Sequence, residues 1–287
     1  MNALTVVRAG ALTTVQDLGR PGHAHLGVPR SGALDQPAHR LANALVGNPA
    51  ECATLETTLN GCAVRTGPAV TVAVTGAPCA VRADGRPVAW GAAVRLPAGA
   101  VLDVGAAGAG VRSYVAFAGG VAVPPVLGSR SRDLLSGLGP EPLADGARLP
   151  LGAPCGPSAG ADAVPWPGPP ARELVLPVVA GPRDDWFAPE ALRTLAGRGF
   201  SVSAASNRIA LRTEGPALAR SRAGELPSEG MVLGAVQVPP DGHPVVFLAD
   251  HPTTGGYPVI GVVPEPALAA AAQALPGTVV RFVPVRA

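Results

Sequence analysis

Most of this chain is cut into short β-prone runs by turns that carry Gly and Pro, which leaves room for few helices and points to a mainly β fold. In the first half, residues 4–7, 70–74, 80–83, 87–90, 101–104 and 113–118 read as strands. The runs 80–83 and 87–90 flank Asp84-Gly85, a hairpin signal because both turn positions tolerate positive φ. The second half carries further strands at 174–179, 200–203, 209–213, 231–238, 245–249, 259–263 and 279–285. One helix interrupts the first half: Asp35 suits its N-cap, Pro37 its first turn and Gly47 its C′ position. Ala38, Leu41, Ala42 and Leu45 follow the spacing of one buried face, which turns His39, Arg40 and Asn43 elsewhere. Two more helices are expected over 189–196 and 266–275. Residues 153–170, rich in Pro, Gly and Ala and without periodicity, read as a linker. The expectation is two β-barrel-like domains, 1–160 and 171–287, each with one or two short helices and with long loops crossing the barrel mouths.

Composition narrows the chemistry. Hydrophobic residues make up 47% and charged ones 15%, enough apolar material for one large domain or two ordinary ones and no case for disorder. A net charge of +2 and an aromatic content of 3% give no basis for nucleic-acid binding. Every basic side chain is Arg; the chain has no Lys. That excludes a Schiff-base lysine, a Walker-A lysine and a biotinyl lysine. No cofactor is expected on this chain, and any ATP or biotin must be handled by another. The four cysteines, Cys52, Cys62, Cys79 and Cys155, fall at no metal-ligand spacing. Neither a secretory leader nor an apolar run long enough to span a bilayer is evident, so free thiols in a reducing cytoplasm are expected.

Two polar runs stand out. Residues 13–48 follow the first strand and place Thr13, Thr14, Gln16, Asp17 and Arg20 within eight positions, which suits a small substrate bearing an amide or carboxylate. A turn in which Asp17 bonds the local backbone reads equally from the same residues. Ser31 lies in the approach to the helix N-terminus, where backbone N–H groups favour an anion unless Asp35 already caps them. Residues 127–133, LGSRSRD, could cradle an anion in the same way. His23 and His25 have the spacing of one strand face, without an evident third metal ligand. Gly156-Pro157-Ser158-Ala159-Gly160 matches a nucleophile-elbow pattern but sits in the linker, with neither the strand nor the helix that motif needs. The second polar run is 250–258, DHPTTGGYP. Asp250 ends an apolar strand, His251 is suited to proton transfer near neutral pH, and Gly255-Gly256 permits close backbone approach to a ligand.

These runs, in this order, resemble the KipA-type family, also called allophanate hydrolase subunit 2 or the C-type component of 5-oxoprolinase, within the biotin-dependent carboxyltransferases. TTVQDLGRPG, GVPRSGALD, ANALVGN, LETTLNG, YVAFAGG, LGSRSRDLL, SNRIALRTEG, LPSEGMVLGAVQVPPDGHPVV and ADHPTTGGYP carry the resemblance across nearly the whole chain. It implies two cyclophilin-like β-barrel domains and a heteromeric complex with a KipI-type (allophanate hydrolase subunit 1) protein and a LamB/YcsF-type protein. That complex opens 5-oxo-L-proline to L-glutamate with ATP hydrolysis, and this chain is expected to be inactive alone. Related domains act as the carboxyltransferase of urea carboxylase, with biotin on another chain. Some members are described as regulators that bind a KipI-like inhibitor. On this reading Asp17, Asp250 and His251 are candidates for catalysis. Thr14, Gln16, Arg20, Ser31, Arg208, Thr253, Thr254, Gly255 and Tyr257 are candidates for substrate binding, where loops of both halves meet. Two positions depart from the family pattern: Asn207-Arg208 replaces an Asp-Arg pair, and His251-Pro252 replaces Arg-Gln.

Overall fold

The computed structural model describes residues 2–158, 164, 173–222, 224 and 226–286. The expected linker, 153–170, and the end of the elbow-like pattern lie largely outside them.

The chain divides into two compact units. The first comprises Met1–Arg20, Ser31–Asp133 and Gly137–Pro170; the second comprises Pro21–Arg30, Leu134–Ser136 and Ala171–Ala287. Two short stretches of the first half therefore belong with the second unit. A division at a single linker does not capture this, because turn-rich segments such as 21–30 give no sign in sequence of which core they join.

The first unit holds β1 (Ala3–Arg8), β2 (Thr13–Gln16), α1 (Gln36–Leu45), β3 (Thr54–Thr58), β4 (Cys62–Thr66), β5 (Val70–Gly76), β6 (Cys79–Ala83), β7 (Arg86–Val88), β8 (Val94–Leu96), β9 (Val101–Ala107), β10 (Arg112–Phe117) and β11 (Arg148–Pro150). They form two antiparallel sheets, in the orders β11-β1-β4-β9-β6-β7 and β2-β3-β10-β5-β8. Leu4, Val6, Val64 and Leu102 from one sheet and Val15, Leu55, Val72 and Val115 from the other contribute to one apolar core. β10 is buried at every position, since α1 lies against β10 and β5. Asp84-Gly85 makes the expected hairpin, with positive φ at both residues and Val81 paired to Val88.

α1 begins as read. The Asp35 side chain accepts from Ala38 N at 3.0 Å, Pro37 sits in the first turn, and Gly47 follows the helix at φ +77°. Its buried face is rotated from the expected one: Ala38, His39, Ala42, Asn43 and Leu45 are buried, while Leu41 is 37% exposed. The reason is polar. His39 bonds Thr54 Oγ1 and Ala50 O, both at 2.9 Å, and Asn43 donates to Cys52 O at 2.8 Å. These bonds fix the chain that leaves the helix, and they outweigh the burial of one leucine.

The second unit is a closed barrel built from β12 (Glu173–Ala180), β13 (Phe200–Val202), β14 (Ala210–Glu214), β16 (Ala235–Gln237), β17 (Val245–Phe247), β19 (Val259–Val262) and β20 (Val279–Val285). The order is β12-β19-β16-β17-β14-β13-β20, closed by the parallel pairing of β20 with β12. α2 (Pro189–Gly197) lies against β20 and α3 (Glu265–Ala272) against β12. The strand expected over 231–238 is shorter, and β15 (Glu229–Gly230) pairs separately with β18 (Thr254–Gly255). The architecture is thus mainly β, with short helices. No helix among the described residues is long and apolar enough to cross a membrane.

Candidate functional site

Thr14, Gln16, Asp17, Arg20 and Ser31 lie in the first unit, and all are buried. The run 13–16 is a strand, not a loop: TTVQ pairs with β3 and is buried at all four positions. Gln16 Nε2 donates to Thr14 Oγ1 at 2.9 Å and to Arg132 O at 3.0 Å. Ser31 Oγ donates to the same carbonyl at 3.0 Å. The Asp17 carboxylate accepts from Gly19 N (2.8 Å), Ser129 Oγ, Ser131 Oγ and Arg130 N (each 2.6 Å). Arg20 donates to Ser131 O. Gly32, at φ +96°, packs so closely that a Cβ there would come within 2.8 Å of Gly19 N.

The three polar stretches 13–20, 31–35 and 127–133 are thereby sewn into one internal network. It occupies both of the anion sites that the sequence suggests. In 127–133 the N–H groups of Arg130, Ser131 and Arg132 are taken by Asp17, Ser129 Oγ and Val15 O. At α1 the Ala38 N–H is taken by Asp35, and the N–H groups just before the helix are taken by Glu56, which accepts from Leu34, and by Tyr114 Oη, which accepts from Asp35. Tyr114 Oη in turn donates to Glu56, and burial pushes the phenol well above its ordinary pKa. Burial likewise lowers His39, which stays neutral within the network. Sequence reasoning gives no role to His39, Glu56 or Tyr114. Each occupies a position whose helical or strand period does not distinguish a buried polar residue from a solvated one.

Arg208, Asp250, His251, Thr253, Thr254, Gly255 and Tyr257 lie in the second unit. Arg208 and Asp250 are fully buried and form a bidentate pair, Nε to Oδ2 at 2.9 Å and Nη2 to Oδ1 at 3.0 Å. Asp250 Oδ2 also accepts from Leu134 N at 3.1 Å, which fastens the 134–136 segment to the barrel. Asn207 turns its Oδ1 to Ile209 N and Ala210 N and so serves its own turn. His251 stacks on Phe247 with ring centroids 5.9 Å apart. Its Nδ1 meets Pro252 O at 2.7 Å. A carbonyl only accepts, so Nδ1 carries a proton.

The Thr253–Tyr257 stretch is the accessible part of this group. Thr254 is exposed, and Thr253, Gly255 and Tyr257 are half-buried. Two residues to which sequence reasoning gives no role support it. Gln237 Nε2 donates to Tyr257 O at 3.2 Å and would stand 2.9 Å from a Cβ at Gly255, so a residue with a side chain at 255 must displace it. Arg220 covers the Tyr257 ring at 5.6 Å and donates to Val238 O at 2.6 Å. The available signal for Gln237 is an amide inside the apolar run GAVQV. β15, which flanks β18, is anchored by Glu229; the Arg183 hydrogen bond holds that carboxyl below the usual carboxylate range. His23 precedes and His25 lies within a 3-10 turn, Ala24–Leu26, not a strand face, and no group of three potential ligands could hold a metal among the described residues. Chemically, the second unit offers an accessible Thr/Gly/Tyr surface backed by a histidine and a rigid buried ion pair.

The family described as "Carboxyltransferase domain, subdomain A and B" matches residues 26–284. The chain is 40% identical to the C-type component of 5-oxoprolinase from Escherichia coli strain K12, with 98% of this chain and 90% of that protein covered. It is 33% identical to "Urea amidolyase" of Lachancea kluyveri, with 99% of this chain but 17% of that protein covered. The solved structure of the K. lactis urea amidolyase superimposes with a TM-score of 0.92 at 30% identity, over 99% of this chain and 19% of that one. With a family match spanning most of its length and relatives that follow it nearly from end to end, this chain belongs to the carboxyltransferase-domain family, subdomains A and B.

Proposed function

We propose that this chain is one component of a cytoplasmic, ATP-hydrolysing 5-oxoprolinase that opens 5-oxo-L-proline to L-glutamate. It works with a KipI-type and a LamB/YcsF-type protein and is inactive without them. The observation that carries this is correspondence over whole lengths: the chain covers 90% of the E. coli 5-oxoprolinase component. The absence of Lys supports assigning ATP to a partner chain. Opening a lactam requires an activated carbonyl, and phosphorylation on a partner would supply it. This chain's share is to hold the substrate and move protons. Thr253, Thr254 and the backbone at Gly255, beside Tyr257, suit an amide and carboxylate, and the His251 imidazole suits proton transfer. Arg208 and Asp250 occupy each other's hydrogen-bonding groups, and Asp17 is occupied by four donors; we therefore assign these three, with Gln16, Arg20 and Ser31, to positioning.

The test is co-purification of the three proteins and measurement of ATP-dependent glutamate release. His251→Gln should lower kcat about a hundredfold or more with the complex intact. Undiminished turnover would remove His251 from the chemistry. A second reading, carboxyl transfer from biotin borne by another chain, is favoured by the match to the urea amidolyase of L. kluyveri over 99% of this chain. It takes over if the assembled complex releases no glutamate but accepts carboxyl groups from a biotinylated partner. A third, regulation through a KipI-like protein, requires binding without turnover.

A further inference from the structure

Two cysteines far apart in sequence meet in the first unit. Cys52 lies in the turn between α1 and β3, half-buried, and Cys155 is exposed. Several backbone contacts bring them together. Val121 N donates to Ala53 O at 3.0 Å and Gly152 N to Gly120 O at 3.1 Å, so the turn after β10 that carries Gly120 links the two cysteine segments. Gly120 has no side chain; a Cβ there would fall 3.0 Å from Cys52 Cβ and 3.4 Å from its Sγ. Gly119 abuts Gly152 O, and Gly47 abuts Gly156 O and Pro157 O, each too close for a side chain on the glycine. Residues 152–157 are thus held at both ends, with Cys155 between them. Cys155 Sγ donates to Ala153 O at 3.7 Å, within electrostatic reach of the Cys52 side chain. Burial together with the neighbouring Cys155 pushes the Cys52 thiol up to about 11, so it waits as the protonated partner while the exposed Cys155 meets solvent.

We propose that Cys52 and Cys155 form an oxidant-responsive pair, in which a hydroperoxide oxidises Cys155 and Cys52 resolves it to a reversible disulfide. The Cys155 sulfur attacks the O–O bond, giving a sulfenic acid and releasing an alcohol, or water from hydrogen peroxide. The Cys52 sulfur then displaces that hydroxyl, forming the S–S bond and releasing water. Two thiols lose two protons and two electrons, and the peroxide bond takes the electrons. The product fastens residues 152–157 to the turn after α1.

The test uses the reduced full-length chain at micromolar concentration, treated with hydrogen peroxide, alkylated with N-ethylmaleimide and mapped without reductant. A Cys52–Cys155 cross-linked peptide should form at least about tenfold faster than any dimer through Cys155, because the two groups are held at high effective concentration. Dithiothreitol should reverse it. Cys62, buried in the core at 1% exposure, should remain unmodified in the same sample. In Cys52→Ser the sulfenic acid at Cys155 should persist and be trapped by dimedone. The proposal is overturned if wild-type Cys155 becomes oxidised while Cys52 is still recovered alkylated, or if dimers form faster than the internal bond. These readouts are chemical and do not depend on the activity proposed above.

Discussion

Removing Asp250 is the sharpest test of how the second unit is built. Arg208 is 1% exposed and Asp250 0%. Asp250→Ala therefore leaves a guanidinium buried without its carboxylate and deprives Leu134 N of an acceptor at 3.1 Å. Breaking a buried pair from one side costs roughly 3–5 kcal/mol. With a urea dependence of about 2 kcal/mol per molar, the unfolding midpoint of the second unit should fall by about 2 M. The matching experiment replaces both partners, Arg208→Met with Asp250→Leu. Two apolar side chains carry no desolvation penalty, so the double variant should recover all but the roughly 1–3 kcal/mol owed to the orphaned Leu134 N–H. Urea denaturation followed by circular dichroism measures both, and glutamate release by the reconstituted complex separates positioning from chemistry. A folded double variant that turns over shows that the carboxylate carries no proton. The argument fails if Asp250→Ala costs under about 1 kcal/mol, or if the double variant is no more stable than the single.

Two further tests concern His39 and Gly32 of the first unit. His39 is buried and lowered from 6.5, chiefly by desolvation. The unfolded chain therefore binds a proton below 6.5 that the folded chain refuses, and stability falls on acidification from 6.5 down to the folded pKa, by about 1.4 kcal/mol per pH unit. His39→Gln should flatten that slope in urea melts between pH 5 and 7; an unchanged slope would assign the dependence to other groups. Gly32 and Gly22 have similar φ, +96° and +92°, but a Cβ at Gly32 meets the backbone at Gly19 N and Leu18 C, while at Gly22 it meets nothing within 4 Å. Both alanine variants carry backbone strain of about 1–3 kcal/mol. Gly32→Ala should lose about 2 kcal/mol more, from overpacking against atoms that cannot rotate away. Equal losses would mean the 13–20 and 31–35 stretches separate readily.

Much of the fold is legible in the sequence because strand runs and caps are local signals. Asp35, Pro37 and Gly47 bracket α1 to within a residue, and most strands of the barrel fall where β-branched runs predict them. What is not legible is the side on which polar residues lie. TTVQ reads as a loop because Thr and Gln are common in loops, yet in β2 these groups are buried against partners from residue 57 and residue 132. Such partners stand tens to more than a hundred residues away in sequence, and no local window contains them. The same holds for Asp17 and Asp250: a carboxylate after a strand is consistent with a catalyst at a mouth and with a bolt inside the wall. Only the donors around it decide, and here they are Gly19, Ser129, Arg130 and Ser131 for one and Arg208 and Leu134 for the other. Polar density along the chain therefore locates the places where distant segments are joined, and the accessible chemistry lies beside them, in a stretch whose hydroxyls and glycines have fewer internal partners.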